Sequence, residues 1–171
     1  PAFSKLFVQT EIMENAQVIL CHRRGHTKRP WLFHGFFADG AMASGMSYET
    51  DRARFIGRGA TTANPQAMTH PAPLSATQGS VLDPIVSIRS QVNLDPEQSA
   101  VVTYLFGAAE SREACLSLLK KYQNRAAIER CFHQASQRFE SYLKTFELTE
   151  RDAAVFDRLA GSVIYSHSDL R

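Results

Sequence analysis

Tyr48-Glu49-Thr50-Asp51-Arg52-Ala53-Arg54-Phe55-Ile56-Gly57-Arg58-Gly59 packs three arginines, two acids and two glycines around one Phe-Ile pair. No generic structural role asks for that concentration of charge. The order acidic, basic, apolar, Gly-Arg-Gly reads as a shaped loop with its charges aimed at a target. A second stretch follows downstream, Gly79-Ser80-Val81-Leu82-Asp83-Pro84-Ile85-Val86-Ser87-Ile88-Arg89. Around both, short apolar runs alternate with Gly, Pro, Asn and Thr clusters, the pattern of strands and turns.

Working outward, Phe3–Ile12, Ala16–His22 and Trp31–Phe37 are strand candidates. Val86, Ile88, Val92 and Leu94 alternate with Ser87, Arg89, Gln91 and Asn93, which predicts a strand with one wet and one dry face. Asp95-Pro96-Glu97-Gln98 supplies turn chemistry, and Ala100–Phe106 reads as the return strand of a hairpin. Between the two charged stretches, Ala60–Gln78 carries Pro65, Pro71 and Pro73. These exclude a continuous helix and predict a long surface loop.

Near Glu110 the period changes from 2 to about 3.6. Ser111 is placed to cap a helix bearing Ala114, Cys115, Leu118, Leu119 and Tyr122. A long helix follows from Arg125 to about Glu147, and Thr149-Glu150-Arg151-Asp152 resembles a capping box opening a third. The expected fold is therefore α+β: an antiparallel β-sandwich over residues 1–109, then about three linker helices over residues 110–171.

Composition bounds the function. With 44% hydrophobic and 21% charged residues the chain is an ordinary globular one. A net charge of +2 argues neither for nor against nucleic acid with any force. The longest basic run, His22–Arg29, reads as a solvated hairpin tip. Cys21, Cys115 and Cys131 show neither pairing nor metal spacing, and are expected to be reduced, packed thiols. The six histidines show no ligand spacing, so neither a metal nor a cofactor is expected. No stretch approaches the ~20 apolar residues of a membrane span. The start at Pro1, directly in strand-like sequence, suggests a piece excised from something longer.

No complete active site is legible. Glu49 and Asp51 would share a strand face with their α-carbons ~7 Å apart, and paired carboxylates can act on glycosides. Arg52, Arg54 and Arg58 are more simply their ion-pair partners, which would depress the acids and disfavour a general acid. There is no Gly-x-Ser-x-Gly elbow, and Gly57-Arg58-Gly59 is too short for a phosphate loop. Trp31, Phe33, Phe36, Phe37 and Tyr48 offer a possible sugar-stacking row, against the plainer reading of sandwich core.

These motifs resemble, in order and over nearly the whole chain, the β-sandwich and helical linker of the cyclic β-1,2-glucan synthases, in their cellobiose-phosphorylase-like region (glycoside hydrolase family 94). Pro1–Glu11, the Tyr-Glu-Thr-Asp-Arg segment, Phe55–Gly59, Pro73-Leu74-Ser75, Gly79, Val81–Ile85, Phe106–Ala109 and the helix Arg112–Tyr122 carry the likeness. The resemblance implies a large membrane-anchored parent at the cytoplasmic face of the bacterial inner membrane. That parent builds and closes a glucan, and an (α/α)6 barrel supplies its catalytic acid. The segment itself would be soluble, without direct membrane contact, and would end at Ser166–Arg171 about where the barrel begins.

The implied role is a non-catalytic scaffold whose partner is the catalytic barrel. No catalytic residue falls in it. Glu49, Asp51, Gly57 and Gly59 would shape the loop, and Arg52, Arg54 and Arg58 would reach a glucan hydroxyl or a phosphate group. The alternative is an independent carbohydrate-binding module with an exposed aromatic row. A nucleic-acid module would need the Arg23–Arg29 run to converge with Lys120, Lys121 and Arg125. A purely structural piece predicts an exposed apolar helix face prone to self-association.

Overall fold

A computed structural model describes residues 5–25, 30–39 and 42–165. The expected start of the first strand at Phe3, the basic tip over residues 26–29 and the tail over residues 166–171 lie outside the described residues. Two compact units are present, Pro1–Gln123 and Asn124–Arg171.

The first unit is organised by β2 (Val18–Arg23), in which Val18, Ile19, Leu20 and Cys21 are all buried. Successive side chains of a strand point to opposite faces, so a run buried throughout must be covered on both sides. β1 (Val8–Met13) pairs with β2 antiparallel through a one-turn 3-10 connection at Glu14–Ala16, from Met13↔Val18 to Val8↔Arg23. β3 (Trp31–Asp39) lies on the other side of β2. β4 (Met42–Asp51) pairs with β6 (Pro84–Asn93) in a separate two-stranded sheet. β5 (Gly79–Ser80) and β7 (Val101–Ala109) complete a five-stranded sheet of order β5-β1-β2-β3-β7.

The expected hairpin between the strands flanking Asp95–Gln98 is not formed. The turn exists, with the Gln98 amide donating to the Asp95 carbonyl at 3.0 Å, but it carries the chain from one sheet to the other. β7 pairs with β3 along its whole length instead. Alternation identifies a strand and its dry face. Its neighbour is set by which sheet that dry face is packed against.

One face of the large sheet is covered by the two-stranded sheet: Ile19, Cys21 and Tyr48 form a cluster joined by Val8, Ile12, Met46, Val86 and Ile88. The opposite face is covered by α3 (Arg112–Tyr122) of the sequence below: Val18, Leu20 and Phe33 pack with Cys115 and Leu119. Each such apolar side chain taken fully out of water contributes about 1.5–3 kcal/mol. α3 begins where Ser111 accepts a hydrogen bond from the Ala114 amide at 3.1 Å. The fold is the α+β sandwich read from the sequence.

Two short helices precede it. Residues 52–59 are not one loop, since α1 (Arg52–Ile56) follows directly on β4 with Asp51 as its N-cap. Within the expected loop, α2 (Gln66–Thr69) forms a single turn. The loop is tied down by the Ala76 amide on the Tyr48 carbonyl (2.9 Å) and by Thr50 on the Thr77 carbonyl (2.7 Å). Thr50 in turn accepts from Thr10 at 2.7 Å, so β1, β4 and the loop share one buried hydroxyl chain.

The second unit comprises α4 (Arg125–Thr145) and α5 (Glu150–Ile164). The capping box at Thr149 and Asp152 is present, with Asp152 Oδ2 accepting from the Thr149 amide at 2.9 Å. Neither helix buries a residue, and Phe132, Phe139, Phe146, Phe156 and Leu159 are exposed.

Candidate functional site

The outer face of the two-stranded sheet carries a cleft of about 480 Å3. Tyr48 points inward to the core, so its neighbour Glu49 points outward by strand alternation. Glu49 and Arg89 line the cleft from the sheet, Ala53, Arg54, Gly57 and Arg58 from α1 and its exit, and Gln66, Ala67 and His70 from α2. The segment from Ala72 to Ser75 closes it.

Glu49 is 1% exposed, yet it pairs with no arginine among the described residues. Its Oε1 accepts from the Thr50 and Asp51 amides, both at 2.9 Å, and its Oε2 accepts from the Ser75 hydroxyl. The expected carboxylate–arginine pairing is thus corrected for Glu49. The outward turn of its side chain places it beneath the loop, where backbone amides and a hydroxyl satisfy it. Asp51 turns away to cap α1, accepting from the Ala53 amide at 2.9 Å, with Arg54 Nε 3.9 Å from its other oxygen.

The three arginines of the motif separate. Arg52 leaves the cleft for Asp83, 3.8 Å away, which Lys5 also grips at 2.6 Å. These cations hold the Asp83 carboxyl below its ordinary range, the Lys5 hydrogen bond foremost. Arg54 and Arg58 stay in the cleft wall, and Arg58 makes no ion pair or hydrogen bond among the described residues. A fourth arginine, Arg89, donates to the carbonyls of Ala67 (2.6 Å), His70 (3.0 Å) and Ala72. It pins α2 and the following segment to β6. Sequence reading assigned Arg89 only to the wet face of its strand. The signal available was that this cation stands opposite a proline-rich loop full of unpaired carbonyls.

Gly57 has φ +84°, and a Cβ there would collide with Gln66 Oε1 and stand 2.5 Å from Gln66 Cβ. Only glycine permits both that backbone and α2's close approach. Gly59 is also at positive φ, with open space around it.

The aromatic residues considered for sugar stacking are core. Phe33, Phe36 and Tyr48 are 5%, 2% and 3% exposed, Trp31 stacks on His22 at 4.2 Å, and Phe37 packs beneath α3. Among the described residues of this unit the exposed aromatics are instead Tyr104 and Phe106 on β7, beside His34. Cys21 and Cys115 are buried, whereas Cys131 is exposed. Burial pushes the Cys21 thiol up to about 11. Among the described residues no three His, Cys, Asp or Glu side chains converge as a metal site, and no helix is long and apolar enough to cross a membrane.

Comparison with known proteins agrees with this architecture. The family model described as "Glycosyl hydrolase 94, supersandwich domain" matches residues 1–125. The chain is 30% identical over 174 residues to the cyclic beta-(1,2)-glucan synthase NdvB of Rhizobium meliloti (strain 1021), a match that covers 100% of this chain and 6% of that protein. The chain thus spans a small fraction of its relative's length. With two facing antiparallel sheets and a match over almost three-quarters of its residues, the chain belongs to the glycosyl hydrolase 94 supersandwich domain family.

Proposed function

We propose that this chain is the β-sandwich and helical linker of a cyclic β-1,2-glucan synthase, and that it serves there as a non-catalytic scaffold for a catalytic barrel. The observation that carries the reading is the likeness of the chain, over its whole length, to one segment of such a synthase. In this reading residues 1–109 are the sandwich and residues 110–171 the linker, with its first helix serving as part of the sandwich's own cover. The parent sits at the cytoplasmic face of the bacterial inner membrane. The exposed Phe132, Phe139, Phe146, Phe156 and Leu159 are the barrel-docking residues, and without the barrel such an apolar surface favours self-association. Arg54 and Arg58 contact a saccharide or phosphate group, while Arg52 acts through Asp83 on the motif's conformation.

The test is reconstitution. The 171-residue chain is mixed with the separately produced remainder of the synthase, and complex formation and glucan chain length are followed. Saturable association, weakened at least tenfold by Phe132→Glu with Phe156→Glu, is the expected result. No association between two folded partners overturns the scaffold reading.

A second reading, a carbohydrate-binding module active on its own, is supported by the cleft rather than by an aromatic row, since those aromatics are buried. It predicts glucan affinity in the isolated chain.

A further inference from the structure

We infer that the cleft between α1, α2 and the outer face of the two-stranded sheet is a binding site for a neutral polyhydroxylated ligand, a saccharide unit, and not for phosphate. The inference deepens the saccharide-facing part of the proposed function and is independent of the scaffold part.

The cleft volume of about 480 Å3 lies within the ~300–1,000 Å3 of small-molecule sites. What selects the ligand is the hydrogen-bonding capacity left over. A carboxylate offers about four lone-pair positions. Glu49 uses two on Oε1 for the Thr50 and Asp51 amides and one on Oε2 for Ser75. One acceptor position remains on Oε2 of a side chain that is 99% withdrawn from solvent yet lines the cleft. It is also held rigid, because its three donors are two backbone amides and the hydroxyl of a wall residue.

The donors left over are guanidinium groups. Arg58 has none of its N–H groups engaged among the described residues, and Arg54 has only the long 3.9 Å approach to Asp51. Arg89, by contrast, spends its donors on three carbonyls and serves the wall. The vacant chemistry is therefore one buried acceptor facing two adjustable planar donors, with Ala53, Ala67 and Leu74 as apolar lining.

A hydroxyl donates and accepts at one atom, so neighbouring hydroxyls of a sugar ring can give a proton to Glu49 and accept from an arginine together. The C–H faces of the ring match the apolar lining. Inorganic phosphate at pH 7 is a mono- or dianion that keeps at least one P–O–H group. It would satisfy the arginines, and its P–O–H can donate to Glu49, but its charge would meet the buried carboxylate as anion facing anion, a repulsion that a neutral hydroxyl escapes. Neutralising the carboxylate would remove that repulsion.

The experiment is calorimetric titration of the folded 171-residue chain with linear β-1,2-linked glucose oligomers and, separately, with inorganic phosphate. The expected result is saturable binding of the oligomer, unchanged by 10 mM phosphate and weakened at least tenfold by Arg58→Ala. Arg58 is exposed and without a partner among the described residues, so its loss leaves the fold intact. Glu49→Gln, checked for folding by circular dichroism, is expected to weaken the oligomer and to let phosphate in. Arg138→Ala, at an exposed position outside the cleft lining, is the unaffected control. Phosphate binding to the unaltered chain, oligomer binding indifferent to Arg58→Ala, or no binding of either probe each overturns the inference. None of these outcomes bears on association with the remainder of the synthase, so the scaffold reading stands or falls separately.

Discussion

Arg112 clasps Glu11 with two parallel hydrogen bonds, Nη2 to Oε1 at 2.5 Å and Nε to Oε2 at 3.0 Å. The pair joins the first residue of α3 to the strand at the far side of β2, so it fixes the helix across the sheet it covers. Charge-assisted fork geometry of this kind is stronger than a single neutral bond, and here both side chains remain about one-third exposed.

The clasp has a pH signature. The hydrogen bond from Arg112 holds the Glu11 carboxyl below its ordinary value of 4.5. A carboxyl depressed in the folded state stabilises fully above its unfolded value and loses that contribution as pH falls through the folded one. Thermal midpoints of the native chain and of Glu11→Gln, measured from pH 7 down to pH 3, are expected to converge as the acid range is entered. A constant gap at all pH values would show that the clasp adds nothing electrostatic.

Gly107 on β7 leaves room for the ring of Phe33. A Cβ there would lie 2.7 Å from Cζ and 2.8 Å from Cε1 of a side chain only 5% exposed. The ring is rigid and closely surrounded, so overpacking should cost about 1–3 kcal/mol. Urea denaturation of Gly107→Ala reads this directly, and Gly107→Ala combined with Phe33→Leu should recover part of the loss. Unchanged stability in the single variant would mean that β3 and β7 separate freely.

The three thiols should differ in reactivity. Only the thiolate is nucleophilic, and Cys21 and Cys115 are both buried with thiols pushed up by desolvation. At pH 8, iodoacetamide is expected to label Cys131 alone within the time that unfolded chain is labelled at all three. Mass spectrometry of the labelled peptides decides it. Rapid labelling of Cys115 would show α3 leaving the sheet.

Truncating Glu49 should be costly for a reason unconnected with ligand. Glu49→Ala strands the Thr50 and Asp51 amides and the Ser75 hydroxyl under the loop, and each buried unsatisfied group costs about 1–3 kcal/mol. Glu49→Gln keeps an acceptor and should lose less. Chemical denaturation of the two variants side by side separates shape from hydrogen bonding.

The helices were the most legible part of the sequence. Ser111, the Thr149–Asp152 box and the apolar spacing through Phe132 and Phe139 are local signals, read within a few residues. The class of fold followed from them and from strand alternation. The pairing of β6 with β4 and β7 with β3 was not legible, because nothing within Asp95–Gln98 distinguishes a hairpin from a passage between sheets. At the candidate site, charge order paired both acids of the Tyr48–Gly59 stretch with its arginines, which holds for Asp51 beside Arg54 but not for Glu49. Glu49 is held by the adjacent Thr50 and Asp51 amides and by Ser75, and Arg52 by Asp83; Ser75 and Asp83 lie more than twenty positions from the residues they hold. Arg89 passed unnoticed because its partners are carbonyls, which every sequence has everywhere.

The pairing of β3 with β7 also sets a timetable for the chain during synthesis. β1 and β2 can zip together as soon as they leave the ribosome, since one helical turn joins them. β3 then offers an open edge and an apolar face that only β7 and α3, near the end of this unit, can cover. Until Leu119 has emerged, Val18, Leu20 and Phe33 have no lid. The nascent sandwich therefore passes through an interval of exposure to chaperones and to neighbouring chains, whose length is fixed by translation speed.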